Sequence, residues 1–129
     1  MMKKQIATGR APKAVGPYSQ AVSTGGFLFV SGQIPLDPET GKIVEGAIEE
    51  QADRVFQNIR AILNEAGLGF PDVVSATVYL ADIGDFAAVN EVYARYFSEG
   101  VLPARSAVQI GALPKQASIE ISCVAQEKG

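Results

Sequence analysis

The sequence predicts one α+β domain spanning residues 1–129, with the element order βββαβαββ and both helices on one face of the sheet. Three observations predict this class. Strand-like runs precede residue 34, a long stripe of apolar residues at helical spacing begins near residue 47, and two further strand-like runs follow residue 101. A chain of 129 residues has the length of one domain with a single core.

Three strands are predicted in the first part of the chain, at residues 4–8, 20–23 and 27–33. Residues 24–26, Thr-Gly-Gly, separate the last two runs and favour a tight hairpin turn. The segment 35–42 contains two prolines, a glycine and two acidic residues, which is typical of a loop. The first third of the domain is therefore expected to be strands and loops.

Residues 47–66 form the clearest helix pattern. Glu49 and Glu50 suit a helix N-terminus, and Gly67 suits the point where the helix ends. The apolar positions form one stripe at a spacing of 3.6 residues: Ile48, Ala52, Val55, Phe56, Ile59, Ile62, Leu63 and Ala66. We expect this stripe to face the sheet.

A strand at 73–80 and a second helix follow. The strand is β-branched with few polar side chains, which predicts burial on both faces. Asp82 is expected to cap the second helix. The apolar stripe of that helix is mostly aromatic: Phe86, Val89, Tyr93, Tyr96 and Phe97. Such a stripe favours core packing over a ligand platform.

Composition narrows the possible functions. The chain has no histidine, which removes the commonest metal ligand and the acid–base pair of many ribonucleases. Its formal net charge is −3 and its basic residues are scattered, which counts against nucleic-acid binding as a main task. Cys123 is the sole cysteine, so no disulfide within the chain and no multi-cysteine metal site are expected. The sequence predicts no metal site.

The chain shows no membrane or export signal. No apolar run approaches the ~18 residues of a membrane span, and the charged start of the sequence is not followed by the apolar run of a signal peptide. We expect a cytoplasmic protein that does not bind membranes.

Arg105 and Glu120 are the two charges deep within strand patterns, in the runs 102–110 and 118–126. The turn-prone segment 111–117 separates these runs and predicts an antiparallel pair. Alternation along the pair would place Arg105 opposite Ser122 or Val124, with Glu120 two or four residues further along the same face. Their backbones would then lie roughly 7–13 Å apart.

Two interpretations of this pair are open on the pattern alone. A surface ion pair across two strands contributes ~0.2–1 kcal/mol and needs no ligand. A ligand site would use the planar fork of Arg105 to bind a carboxylate and Glu120 to orient or deprotonate a water molecule.

Several separated motifs resemble the Rid (YjgF) family, and the resemblance runs almost from end to end. The motifs are Gly16-Pro17-Tyr18-Ser19-Gln20-Ala21, Val30-Ser31-Gly32-Gln33-Ile34-Pro35, Pro103-Ala104-Arg105-Ser106, Gly111-x-Leu113 and Ile119-Glu120-Ile121. The resemblance implies a chorismate-mutase-like fold assembled as a homotrimer with sites between subunits. An uncovered sheet face, expected when both helices pack on one side, also favours association.

The resemblance also implies an activity: hydrolysis of reactive 2-imino acids, such as 2-iminobutanoate and 2-iminopropanoate, to 2-oxo acids and ammonia. Such imines leave pyridoxal-phosphate enzymes, and their removal prevents damage. By match of motif, Arg105 is the catalytic carboxylate-binding arginine and Glu120 the catalytic water-positioning glutamate. The remaining matched positions line the substrate pocket: Tyr18, Ser31, Gly32 and Asn90. The family chemistry needs no cofactor.

Three qualifications follow, two from the residues themselves and one from a departure from the family's pattern. Gly32 alone would indicate a bulge or a close backbone approach, and Asn90 alone would be a solvated polar residue. Ala107 stands where many close relatives carry a cysteine, so a thiol has no part in the chemistry here. Two other functions are open: an endoribonuclease or translation inhibitor, and a non-enzymatic sensor of a carboxylate metabolite.

Overall fold

The computed structural model describes residues 2–128, so the first and last residues of the predicted domain lie outside the described residues. Six strands and two α-helices follow in the predicted order. The strands are β1 (Lys4–Ile6), β2 (Ala21–Thr24), β3 (Phe27–Gln33), β4 (Val73–Leu80), β5 (Ala104–Gln109) and β6 (Ile119–Gln126). The helices are α1 (Ile48–Glu65) and α2 (Phe86–Tyr96).

The described strands form one sheet in the order β1-β2-β3-β6-β4-β5. Strands β4 and β5 are parallel, and every other neighbouring pair is antiparallel. The predicted hairpin between β2 and β3 is present, and Gly25 and Gly26 both have positive φ, of 61° and 85°. This is the conformation that a two-residue hairpin turn requires, and glycine adopts it without strain.

The predicted antiparallel pairing of β5 with β6 is wrong. β6 lies between β3 and β4, and β5 lies at the edge of the sheet against β4. The helix α2 connects β4 to β5, and a connection of that length returns the chain to the same end of the sheet, so the two strands run parallel.

The helices α1 and α2 pack against each other and share one core with the sheet, as predicted. Phe56 is fully buried at the centre of an aromatic cluster. Its ring stacks on Tyr96 with 4.7 Å between centroids and meets Phe70, Tyr93 and Phe97 edge-on. The aromatic stripe of α2 is therefore core, and burying each such ring contributes ~1.5–3 kcal/mol.

Two local predictions need correction. Asp82 does not cap α2: its carboxylate accepts a hydrogen bond of 2.8 Å from the Gly84 N–H and so caps the short 3₁₀ turn Ile83–Asp85 before the helix. The strand β4 is buried on one face only, since Val78 is buried while Ser75 is exposed and Tyr79 half-buried.

Among residues 2–128, both α-helices lie on one side of the sheet and none covers the second face, which we call the outer face. Phe27 and Phe29 of β3 and Val108 of β5 lie on it with 40–47% of their surface exposed. An exposed apolar face of this kind is typical of a surface that associates with another protein. No helix within the described residues is long and apolar enough to cross a membrane.

Candidate active site

Arg105 lies on the helix side of the sheet. In the parallel pair it is aligned with the buried Ala76 of β4, and aligned residues of neighbouring strands point to the same face. Its guanidinium Nη1 donates a hydrogen bond of 2.6 Å to the Oδ1 of Asn90 on α2. Two of the predicted site residues, Arg105 and Asn90, are therefore in direct contact.

Two aromatic rings of α2 support the same guanidinium. Its Cζ lies 4.7 Å from the ring centroid of Tyr93 and 5.1 Å from that of Phe86, the range of cation–π contacts. Burial raises the pKa of the Tyr93 hydroxyl, and the nearby charge of Arg105 partly opposes that rise. Sequence analysis assigned both rings to the core alone; their spacing of seven residues, with Asn90 between them, was the available signal for a face turned to Arg105.

The opposite, outer face carries Glu120. It is aligned with Tyr79 of β4, while its neighbours Ile119 and Ile121 point into the core. A cleft of about 450 Å³ lies beside it and is lined by three further predicted residues, Tyr18, Ser31 and Gly32, and also by Lys13 and Lys115. A cleft of this volume accommodates a small molecule.

A β-bulge in β3 brings the backbone against Glu120. The pairing of β3 with β6 shifts between Val30 and Gln33, so that Ser31 and Gly32 together oppose Ser122. A Cβ atom at Gly32 would lie 2.2 Å from a carboxylate oxygen of Glu120. The interpretation of Gly32 as a bulge with a close approach is confirmed, and the atom approached is the carboxylate itself.

The environment of Glu120 favours a protonated carboxyl more than water does. The side chain is half-buried, and this burial raises the pKa of its carboxyl above the ordinary value of 4.5. A carboxylate with a raised pKa accepts a proton more readily near neutral pH, which suits a general base.

The other two residues of the cleft are held differently. The Ser31 hydroxyl donates a hydrogen bond of 2.6 Å to the carbonyl of Ser19, and its N–H donates to the carbonyl of Gln20. The hydroxyl oxygen of Ser31 is therefore available to a ligand only as a hydrogen-bond acceptor. Tyr18 is 53% exposed at the rim, where its phenol can cover a bound molecule.

Sequence analysis missed the residue that shapes this cleft, Gln20. It is 4% exposed, and its amide accepts a hydrogen bond of 2.7 Å from the Thr8 N–H and donates to the carbonyls of Thr8, Ala11 and Pro12. These bonds fix the proline- and glycine-containing loop that forms one wall. A polar residue at the start of a strand pattern was the only available signal.

Arg105 and Glu120 do not share a face of the sheet, contrary to the expected register. They are two strands apart and about three residues out of alignment, which separates their backbones by roughly 14 Å. Within one chain the predicted residues form two groups. We call Arg105 with Asn90 the arginine half-site, and Glu120 with Tyr18, Ser31 and Gly32 the glutamate half-site.

Comparison with known proteins identifies the family. Residues 8–127 match the family model described as Endoribonuclease L-PSP. A RutC family protein of Pyrococcus abyssi is 56% identical over 99% of this chain and 100% of its own length. The 2-iminobutanoate/2-iminopropanoate deaminase of mouse is 46% identical over 97% of this chain and 92% of its own. The chain belongs to the Rid (YjgF) family.

The fold agrees with solved structures of the family. The crystal structure of Escherichia coli TdcF with bound serine superposes with a TM-score of 0.91 at 43% identity, covering 97% of this chain and 99% of TdcF. The predicted α+β sheet with two helices is therefore the Rid fold. In this Rid protein, Ala107 packs half-buried against the core on the same face as Arg105.

Proposed function

We propose that this Rid protein hydrolyses small 2-imino acids, such as 2-iminobutanoate and 2-iminopropanoate, to 2-oxo acids and ammonia. The mouse relative that carries this name supports the proposal, as does TdcF, which binds serine, a small amino acid with a carboxylate. The observation that carries it is the arginine half-site: an exposed guanidinium held by Asn90 and two rings, with N–H groups left to bind a carboxylate.

Arg105 binds the substrate carboxylate and so fixes the adjacent imine carbon. A guanidinium offers two parallel N–H groups to the two carboxylate oxygens, which sets the orientation as well as the position of the substrate. Because Asn90 and the rings of α2 already order this side chain, less conformational entropy is lost when the substrate binds.

Glu120 acts on the water. As the new C–O bond forms at the protonated imine carbon, the carboxylate takes a proton from the attacking water. Glu120 returns that proton to the carbinolamine nitrogen. As the C–N bond breaks and ammonia leaves, the hydroxyl loses its proton and becomes the carbonyl of the 2-oxo acid, and the released ammonia takes up this proton as ammonium. The reaction is redox-neutral, so the proposed steps need neither an oxidant nor a reductant.

The two half-sites complete each other only between copies of the chain. Each copy presents the arginine half-site on one face of its sheet and the glutamate half-site on the other, so one chain does not close around a small imino acid. We propose a homotrimer in which the outer face of one copy, with its glutamate half-site, contacts the β5 edge of the next copy, so that each pocket takes one half-site from each of two neighbouring copies.

A coupled assay tests the activity. A pyridoxal-phosphate dehydratase acting on serine or threonine releases the imine, and its disappearance is followed with and without the purified Rid protein. We expect faster loss of the imine and an equal gain of ammonia. An unchanged rate together with binding of the 2-oxo acid would identify a carboxylate sensor instead of an enzyme.

Mixing two inactive variants tests the shared pocket. Arg105→Gln and Glu120→Gln are co-refolded in equal amounts, so that some pockets receive an intact arginine half-site from one copy and an intact glutamate half-site from the next. Random assembly restores roughly a quarter of the wild-type activity if every pocket spans two copies. No recovery in verified mixed oligomers would contradict the shared pocket.

A further inference from the structure

A second cleft, of about 490 Å³, lies on the helix side of the molecule, away from both half-sites. It runs between the solvent-exposed side of α1 and the segment before β2. Three of the five arginines of the chain line it, Arg10, Arg54 and Arg60, together with the amides of Gln57 and Asn64. We call this the arginine cleft. One carboxylate, that of Glu65, also lines it.

The arginines of this cleft are not used by ion pairs within the described residues. Among the described residues, the ion pair within 4.0 Å joins Lys128 and Asp72, which lie on another part of the surface. In a chain with a formal net charge of −3, three guanidiniums and one carboxylate in this concavity leave an excess of positive charge where solvent and anions reach it.

Two of the three guanidiniums are held in place. The Nε of Arg54 donates a hydrogen bond of 3.1 Å to Asn58, which is fully buried and donates in turn to the carbonyls of Ile34 and Leu36. This leaves the two Nη groups of Arg54 for the cleft. Arg60 lies with its Cζ 5.0 Å from the ring centroid of Tyr96, which orients its planar group.

The third arginine is anchored through its backbone. Arg10 follows Thr8, whose hydroxyl accepts a hydrogen bond from the Arg10 N–H and whose main chain is fixed by the buried Gln20. The Arg10 side chain is exposed and opposes α1 across the cleft. Only the backbone of Arg10 is fixed in this way, so its side chain loses more freedom on binding an anion than the held side chains of Arg54 and Arg60.

We propose that the arginine cleft binds a small phosphate-bearing molecule, such as a sugar phosphate or a diphosphate. Several arginine forks suit an oxyanion that carries more than one charge, and a single carboxylate would use only one of them. The volume suits a small molecule. The rings nearest the cleft are covered by Arg60, which leaves no open face on which a nucleobase could stack.

Calorimetric titration with inorganic diphosphate tests the proposal, accompanied by amide chemical shifts to locate the site. We expect one binding event per chain that weakens as salt increases, with shifts centred on Arg10, Arg54 and Asn64. Arg10→Gln should weaken binding roughly 3- to 10-fold by removing one charged contact. Arg54→Lys, which keeps the charge and loses the fork, should weaken it as well.

Lys42→Gln is the control, because Lys42 is an exposed cation of the loop before α1 that does not line the cleft, and its loss changes the net charge equally. Diphosphate binding to this variant should equal that of the wild type. Equal weakening by Lys42→Gln, no binding of diphosphate, equal binding of citrate, or preferential binding of single-stranded RNA would each overturn the proposal. Melting temperatures of all variants verify that they are folded.

Discussion

Arg105 and Glu120 are both ionisable side chains on strands, yet their surroundings differ in kind. Arg105 is exposed, and neutral partners hold its charge: the amide of Asn90 and the faces of two rings. Glu120 is half-buried with its carboxylate against the Cα of Gly32. The first environment keeps a cation ready for an anion, and the second makes a carboxylate more basic.

Glu120→Gln should retain the fold and the binding of small carboxylates but lose ~10²–10⁴-fold in imine hydrolysis, since the amide cannot take a proton from water. As the pH is lowered, the wild-type rate should fall with an apparent pKa above 4.5, because burial raises the pKa of the carboxyl and protonation removes the base. A pH–rate profile and a carboxylate titration check this. Undiminished hydrolysis by the variant would make Glu120 a structural residue.

The same pKa shift has a consequence for stability. Burial disfavours the ionised form of Glu120. The difference in pKa between the two states therefore favours the folded protein below the unfolded pKa of about 4.5, and this stabilisation is lost as the pH rises through the raised folded pKa. Glu120→Gln should therefore melt at a higher temperature than the wild type at pH 7, and the difference should vanish below about pH 4.5. A lower melting temperature of the variant at neutral pH would contradict this assignment.

Arg105→Lys separates charge from geometry. Lysine keeps the positive charge but loses the fork that binds a carboxylate through two N–H groups, and one charge-assisted hydrogen bond is worth ~1.5–3 kcal/mol. We expect kcat/KM to fall roughly 10–150-fold, with little change in melting temperature because the side chain is exposed. The matched control is Arg95→Lys on α2, which should leave kcat/KM unchanged. A kcat/KM of Arg105→Lys equal to that of the wild type would show that Arg105 does not bind the substrate carboxylate through two N–H groups.

At the scale of elements, the bulge of β3 brings the backbone of one strand against Glu120 of the next. An extra residue in the strand turns the backbone of Ser31 and Gly32 towards the carboxylate without disturbing the pairs on either side, Val30 with Cys123 and Gln33 with Ile121. The edge position of β5 and the helix α2 act in the same way for Arg105. Each half-site thus combines a strand with the element beside it, and the glutamate half-site adds Tyr18 from the loop before β2.

Gly32→Ala tests the bulge. The added Cβ would meet the end of the Glu120 side chain, which can move, so the melting temperature should change little while the carboxylate is displaced. A misplacement of about 1 Å is enough to cost up to ~10²-fold in rate. Gly9→Ala is the control, since nothing lies within 4 Å of its Cβ position. Equal activity in both variants would show that the close approach at Gly32 does not position the base.

At the scale of the whole molecule, the outer face connects fold to assembly. The helices cover one side of the sheet, and Phe27, Phe29 and Val108 leave apolar surface exposed on the other. Light scattering at micromolar concentration should give about three times the chain mass of 13.6 kDa. Phe29→Glu, which places a charge on this face, should dissociate the oligomer and abolish hydrolysis together. A monomeric wild type would contradict both the trimer and the shared pocket.

The candidate residues of the two half-sites come from the resemblance to the family, and their roles stay predictions. The sequence by itself determined the order of the elements, the core-facing side of each helix and the hairpin at Gly25 and Gly26. These features follow from local rules, because the period of apolar residues and the conformational freedom of glycine act within a few neighbouring positions. The predicted bounds of α1, 47–66, therefore lie within one residue of the observed ones, and Val89 and Tyr93 of the predicted stripe of α2 are buried.

Only the tertiary structure decided which strands are neighbours and therefore which side chains share a face. The pairing of β6 with β3 joins residues almost a hundred positions apart, and the parallel return of β5 depends on how α2 packs. Such contacts are chosen by the burial of the whole core, which no short pattern encodes. For this reason the sequence could name Arg105 and Glu120, while the fold placed them on opposite faces of one sheet.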